Sequence, residues 1–170
     1  MRPGANESAA IATLKNLAVS QEQFRMAGYL DRDGDGVGEF GTMRELGGED
    51  SGRLTTAMSV PLVSRGMIPK EAGGRFLRSG YYFQLYLPDG PQGWTLPRAT
   101  SLCDAGADDA EQQFLVLAWP ASFDETGKRC FFVDGNGTVK AAKNDDWKFS
   151  GETKVPSPTL TTLPVFVTVR

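Results

Sequence analysis

Residues 6–24 read NESAAIATLKNLAVSQEQF, and this stretch decides how the chain is organised. Its apolar residues recur at steps of three and four, which is typical of one face of an α-helix: Ile11, Leu14, Leu17, Ala18 and Phe24, with Gln21 on the same face. Asn6 is the candidate N-cap, and Gly28 follows the last periodic residue, where helices commonly stop. The pattern predicts an amphipathic helix over about residues 6–27 that packs against the rest of the domain.

The predicted helix leads into an acidic loop at residues 29–41, which contains the sequence DRDGDG at residues 31–36. Asp31, Asp33 and Asp35 stand at positions 1, 3 and 5 of a calcium-loop pattern, and glycine stands at position 6. Close carboxylates repel one another, and a hard cation with oxygen ligands relieves the repulsion. The carbonyl of Val37 and the side chain of Glu39 are the further candidate ligands, with Glu45 from the following turn as the alternative to Glu39.

Position 12 of the pattern is threonine rather than the bidentate glutamate of an EF-hand. The sequence therefore predicts a truncated loop that binds Ca²⁺. A solvated Asp/Gly turn without metal is the alternative interpretation, because these residue types favour turns by themselves.

The rest of the chain carries apolar runs that are typical of strands, at residues 80–87, 113–119, 129–133, 138–142 and 165–169. The sequence DGNG at residues 134–137 joins two of them and indicates a tight hairpin, because glycine and asparagine adopt positive φ at little cost. The aromatic residues of these runs are expected in the core rather than on a sugar-binding platform.

These elements predict an α+β fold, in which one long N-terminal helix packs on an antiparallel sheet of about four strands. We expect a single domain over residues 1–170, because this length fits one hydrophobic core. Within it we expect an irregular connection over residues 42–78, the sheet over residues 80–142, and a C-terminal segment with a further strand over residues 143–170.

Composition argues against several classes of function. The formal net charge is −3 with scattered Lys and Arg, so no nucleic-acid partner is predicted. The chain contains no histidine, which removes the Ser-His-Asp and Cys-His nucleophile arrangements and the commonest general base. We therefore expect a protein that is not an enzyme, and paired-carboxylate catalysis is the least favoured alternative.

Several stretches together resemble type IV pilin-like proteins and the pseudopilins of type II secretion. Residues 6–17, continued by residues 21–25, resemble the second half of the long helix of these proteins. Residues 33–41, 79–83 and 131–134 resemble later segments of pilin-like proteins in order and spacing. The resemblance extends from the predicted helix to the predicted hairpin.

The resemblance implies a structural subunit of a pilus-like or pseudopilus filament. Such subunits are anchored in the inner membrane by an apolar helical segment, and they assemble through that helix. The implied partners are copies of the chain and other pilin-like subunits, and the implied location is the periplasm or the cell surface. We expect the anchor in the full-length form as an upstream continuation of the predicted helix.

Two points stay open at the level of sequence. Cys103 and Cys130 fit no metal or redox motif; in an oxidising compartment they can form one disulfide, and two buried thiols are the alternative. The alternative function is a secreted or periplasmic calcium-dependent module that binds a glycan or a protein.

Overall fold

A computed structural model describes residues 2–71, 74–88, 93–96 and 107–170. The helices in these ranges are α1 (Pro3–Met26), α2 (Met43–Leu46) and α3 (Ala107–Gln112), with 3₁₀ turns at Arg65–Met67 and Pro158–Thr162. The strands are β1 (Phe76–Arg78), β2 (Tyr81–Pro88), β3 (Trp94–Thr95), β4 (Leu115–Pro120), β5 (Arg129–Asp134), β6 (Val139–Lys143) and β7 (Val167–Thr168).

The described strands form one seven-stranded sheet in which every pairing is antiparallel. The order is β1-β2-β4-β5-β6-β7, and β3 pairs with β2 outside this path. The α1 helix packs mainly on β5 and also contacts β2, β4 and β6. The prediction of an α+β fold with one long N-terminal helix and an antiparallel sheet is confirmed.

The prediction of about four strands is wrong, because the sheet has seven. The four long strands, β2, β4, β5 and β6, lie close to the predicted runs. Of the other three, β7 lies within the predicted run at residues 165–169, whereas β1 and β3 have only three and two residues, which is too short for alternation of side chains to be visible in a sequence. Strand β1 lies inside the predicted irregular connection and pairs with β2 through its backbone.

The start of α1 also differs from the expectation. The helix begins at Pro3 with Arg2 as N-cap, because proline suits the first helical turn. Asn6 is therefore inside the helix, where its buried Nδ2 donates to the carbonyl of Thr126 at 2.9 Å. Gly28 follows the end of α1 with a φ of +64° and donates its N–H to the carbonyl of Arg25, as predicted for a helix stop.

One face of α1 is buried against the sheet, and Ala10, Leu14, Leu17 and Phe24 lie on it. Glu7 fixes the N-terminal part of this face: its carboxylate accepts from the N–H of Lys128 at 2.9 Å and from Nε of Arg129 at 2.8 Å.

Side chains of the sheet alternate between two apolar clusters. Phe131 and Val133 of β5 face α1, whereas Cys130 and Phe132 face the opposite side. The C-terminal segment covers that opposite side with residues that include Leu160, Phe166, Trp147 and Phe149. Strand β4 is buried on both faces, which explains its continuous apolar run.

The predicted hairpin joins β5 to β6. Val133 pairs with Val139, and Gly137 adopts a φ of +73° while its N–H donates to the carbonyl of Asp134 at 2.8 Å. Asn136 donates its N–H to the carboxylate of Asp134.

Buried ion pairs order the connection between α1 and the sheet. Glu39 pairs with Arg32, and Glu45 pairs with Arg53, with both carboxylates almost fully buried. Glu45 also completes a capping box with Thr42 at the start of α2. The end of the acidic loop is held against α1 by Gln21, whose Nε2 donates to the carbonyl of Gly41 at 2.7 Å and whose Oε1 accepts from the N–H of Gly41 at 2.9 Å.

Among the described residues, no helix combines the length and the apolar content needed to cross a bilayer.

Replacement of Gly38 tests how closely the acidic loop packs on α1. A Cβ at this position would lie 2.0 Å from the carbonyl oxygen of Arg25, so we expect Gly38→Ala to lower the free energy of unfolding by about 2 kcal/mol. Gly66→Ala is the matched control, because a Cβ there meets no atom within 4 Å. Urea denaturation measures both, and equal stabilities of the two variants would contradict the described packing.

Candidate metal centre

The acidic loop is held by hydrogen bonds from its own backbone to its carboxylates. Asp31 accepts from the N–H of Gly34 at 2.8 Å and from that of Gly36 at 3.1 Å. Gly34 and Gly36 both have positive φ, which lets the backbone turn around this carboxylate. Asp33 accepts from the N–H of Asp35 at 3.3 Å.

This geometry brings together three of the predicted metal ligands. Asp31, Asp33 and Asp35 each place a carboxylate oxygen within 4.8 Å of the others. Asp31 is partly buried, whereas Asp33 and Asp35 are exposed. The oxygen atoms are therefore close enough to ligate one cation.

A second group joins the first through Asp33. Asp108 and Glu111 of α3 place carboxylate oxygens within 4.8 Å of each other and of Asp33. They are three residues apart, so they lie on the same face of the helix. Neither residue is among the ligands predicted from the sequence. Their helical spacing was the available signal, but nothing in the sequence indicated that α3 lies beside the loop.

Electrostatic repulsion is visible at Glu111. Burial, together with the charges of Asp35, Asp33 and Asp108, raises the pKa of Glu111 from 4.5 to about 6. Its Oε1 atom is buried and has no hydrogen-bond partner. This oxygen therefore lacks a hydrogen bond beside the loop, and the charge of Glu111 is offset only in part by the nearby guanidinium of Arg25.

The pKa of Asp33 is also raised. The hydrogen bond from the N–H of Asp35 lowers this pKa, but desolvation, the charge of Asp35 and the neighbouring carboxyl groups of Asp108 and Asp31 together outweigh it.

The structure places the other two predicted ligands differently. Glu39 is buried, and its two oxygens accept from the N–H of Arg32 at 2.9 Å and from Nε of Arg32 at 2.7 Å. This carboxylate is therefore paired with a guanidinium and lies outside both acidic groups. Val37 is exposed and donates its N–H to Asp35 at 2.7 Å.

Of the two cysteines, Cys130 lies on β5 with its side chain buried, and this burial raises the pKa of its thiol. Cys103 lies outside the described residues. The disulfide between them stays a prediction.

The five clustered carboxylates, Asp31, Asp33, Asp35, Asp108 and Glu111, offer oxygen ligands of the kind that Ca²⁺ and Mg²⁺ prefer. No family model, no curated protein and no solved structure matches the chain. Function is therefore inferred from the residues of the chain itself.

The raised pKa of Glu111 predicts a pH dependence of stability in buffer with a calcium chelator. The folded state binds this proton more tightly than the unfolded state, so the contribution of Glu111 to stability is fully present below a pH of about 4.5 and is lost as the pH rises through about 6. Glu111→Gln should raise the free energy of unfolding by about 1 kcal/mol at about pH 8, after allowance for solvent screening, and by almost nothing at about pH 4.

Glu152→Gln is the control for this measurement, because Glu152 is exposed and lies outside both acidic groups. Urea denaturation at both pH values measures the effect. If Glu111→Gln changed the free energy of unfolding equally at both pH values, the proposed repulsion among the carboxylates of the candidate metal centre would be contradicted.

Proposed function

We propose that the chain is the globular part of a structural subunit of a type IV pilus-like or pseudopilus filament, rather than an enzyme. The resemblance of its sequence segments and the packing of one long helix on an antiparallel sheet both support this proposal. Fold alone does not determine function. The proposal therefore depends on whether the exposed surface of α1 contacts other subunits.

That surface is an uncharged line along the exposed side of α1. Ala5, Ala12, Val19 and Met26 are seven residues apart, so they lie nearly on one line, opposite the face that packs on the sheet. All four are exposed, Val19 by 58% and Met26 by 76%. The charged residues Lys15 and Glu22 lie beside the line rather than on it.

The solvent side of an amphipathic helix ordinarily carries charged and polar residues. A row of exposed uncharged residues on that side, with large apolar side chains at Val19 and Met26, favours contact with another protein surface. In the proposed filament, neighbouring subunits cover this line. The partners are copies of the chain and other pilin-like subunits, in the periplasm or at the cell surface, with an upstream apolar segment anchored in the inner membrane.

Site-specific photo-crosslinking tests the contact in cells that produce the natural gene product. With a photoreactive amino acid at Val19, we expect covalent adducts that contain a second copy of the chain or another pilin-like subunit. Val60 is the matched control, because it is also an exposed valine, at 65%, but lies in the connection after α2.

Equal adduct yields at Val19 and Val60, or none at Val19, would count against assembly through α1. The upstream coding sequence gives an independent outcome. About 20 apolar residues continuous with α1 agree with the filament, whereas a cleaved signal peptide favours the secreted binding module.

The proposal includes Ca²⁺ as a structural ion of the candidate metal centre. The buried Oε1 of Glu111, which has no hydrogen-bond partner, supports a cation at this position. A cation there would offset the repulsion that raises the pKa of Glu111 and would connect the acidic loop to α3.

Thermal unfolding tests the ion. Millimolar Ca²⁺ should raise Tm, since a ligand that binds only the folded state stabilises it, and each 1 kcal/mol corresponds to about 2–4 °C. Asp33→Asn should remove the rise, because Asp33 belongs to both acidic groups. Asp145→Asn, at an exposed residue outside both groups, should keep it. An unchanged Tm of the unmodified chain in Ca²⁺ would sink the proposal for this ion.

A further inference from the structure

A cleft of about 750 Å³ lies beside β1 and β2, on the side of the sheet that faces away from α1. Its apolar walls include Ile68, Leu77 and Leu96, and the half-buried ring of Tyr82 also lines it. The volume falls in the range of pockets that hold small molecules. The cleft is separate from the candidate metal centre and shares no residue with it.

Arg75 lines this cleft and is the feature that needs an explanation. Its guanidinium lies over the ring of Trp119, 5.6 Å from the centroid, and Trp119 in turn stacks with Tyr82. The Nη1 atom is buried without a hydrogen-bond partner, and Arg75 makes no ion pair among the described residues.

A partly buried cation without a counter-ion is costly, because desolvation is not offset by pairing. The positive charge of Arg75 also acts on a neighbouring side chain. Burial raises the pKa of the Tyr86 hydroxyl, and the charge of Arg75 opposes this increase. A negative group placed in the cleft would therefore be attracted to this side chain.

The shape and charge of the cleft restrict the kind of anion. Arginine presents a planar fork of N–H groups that matches a carboxylate. Lys70, Glu71 and Glu152 also line the cleft and are exposed, so these three residues have a net negative charge that opposes a doubly charged anion such as phosphate more than a singly charged one. The apolar walls suit a ligand with a hydrocarbon or aromatic part.

We propose that the cleft binds a small organic carboxylate, whose carboxylate pairs with Arg75 and whose apolar part lies against Leu77 and Tyr82. This binding site goes beyond the filament function and does not depend on it.

Benzoate is the probe, and benzamide is its uncharged counterpart of nearly the same shape. Titration of the ¹⁵N-labelled chain, followed by NMR, should show saturable shifts of the Arg75 Nε–H signal with benzoate. Benzamide should bind at least about tenfold more weakly, which corresponds to about 1.4 kcal/mol, because it lacks the charge. This comparison on the unmodified chain needs no variant that might fail to fold.

Two arginine variants locate the effect. Arg75→Lys should weaken benzoate binding about tenfold, because lysine lacks the planar fork. Arg78→Lys is the matched control, since Arg78 is exposed on β1, which directly follows Arg75, and does not line the cleft. Equal affinity for benzoate and benzamide, unchanged binding by Arg75→Lys, or preference for inorganic phosphate over benzoate would each overturn the proposal.

Discussion

The burial of one face of α1 against the sheet is the interaction on which the rest of the structure depends. Leu14, Leu17 and Phe24 on this face are almost completely buried, and each such side chain contributes about 1.5–3 kcal/mol. The contacts of Glu7 with Lys128 and Arg129 contribute less, because an ion pair that stays partly exposed is screened by solvent. Apolar burial therefore supplies most of the stability, and Glu7 fixes the helix along its axis.

The elements that the sequence predicted are those whose pattern repeats over several turns or residues. The α1 helix and the four long strands have such patterns, and the turn after Asp134 has its own local chemistry. Strands β1 and β3 form because neighbouring strands offer backbone hydrogen bonds, and two or three residues are too few to show a pattern, whereas β7 lies within the apolar run predicted at residues 165–169. The prediction that Asn6 is the N-cap of α1 was wrong. The side chain of Asn6 instead donates to Thr126, and residue type alone does not indicate such a tertiary contact.

The ligands of the candidate metal centre also divide into those that the sequence predicts and those that it does not. Asp31, Asp33 and Asp35 were predictable because their proximity follows from a short loop. Asp108 and Glu111 join them only through the packing of α3, which no local pattern in the sequence indicates. Glu39 has the right spacing for a ligand, yet its burial requires a counter-ion, and Arg32 provides one within the same loop.

These contacts also bear on where a cation would bind. Both oxygens of Asp31 already accept backbone N–H groups, so its charge is partly compensated within the loop. Glu111 has a buried oxygen without a hydrogen-bond partner, and Asp33 is shared by both groups. The carboxylate oxygen without a hydrogen bond therefore lies between the loop and α3, rather than at the centre of the loop as the calcium-loop pattern implied. A cation at that position would connect the residues that follow α1 to those that precede β4, two segments that are distant in sequence.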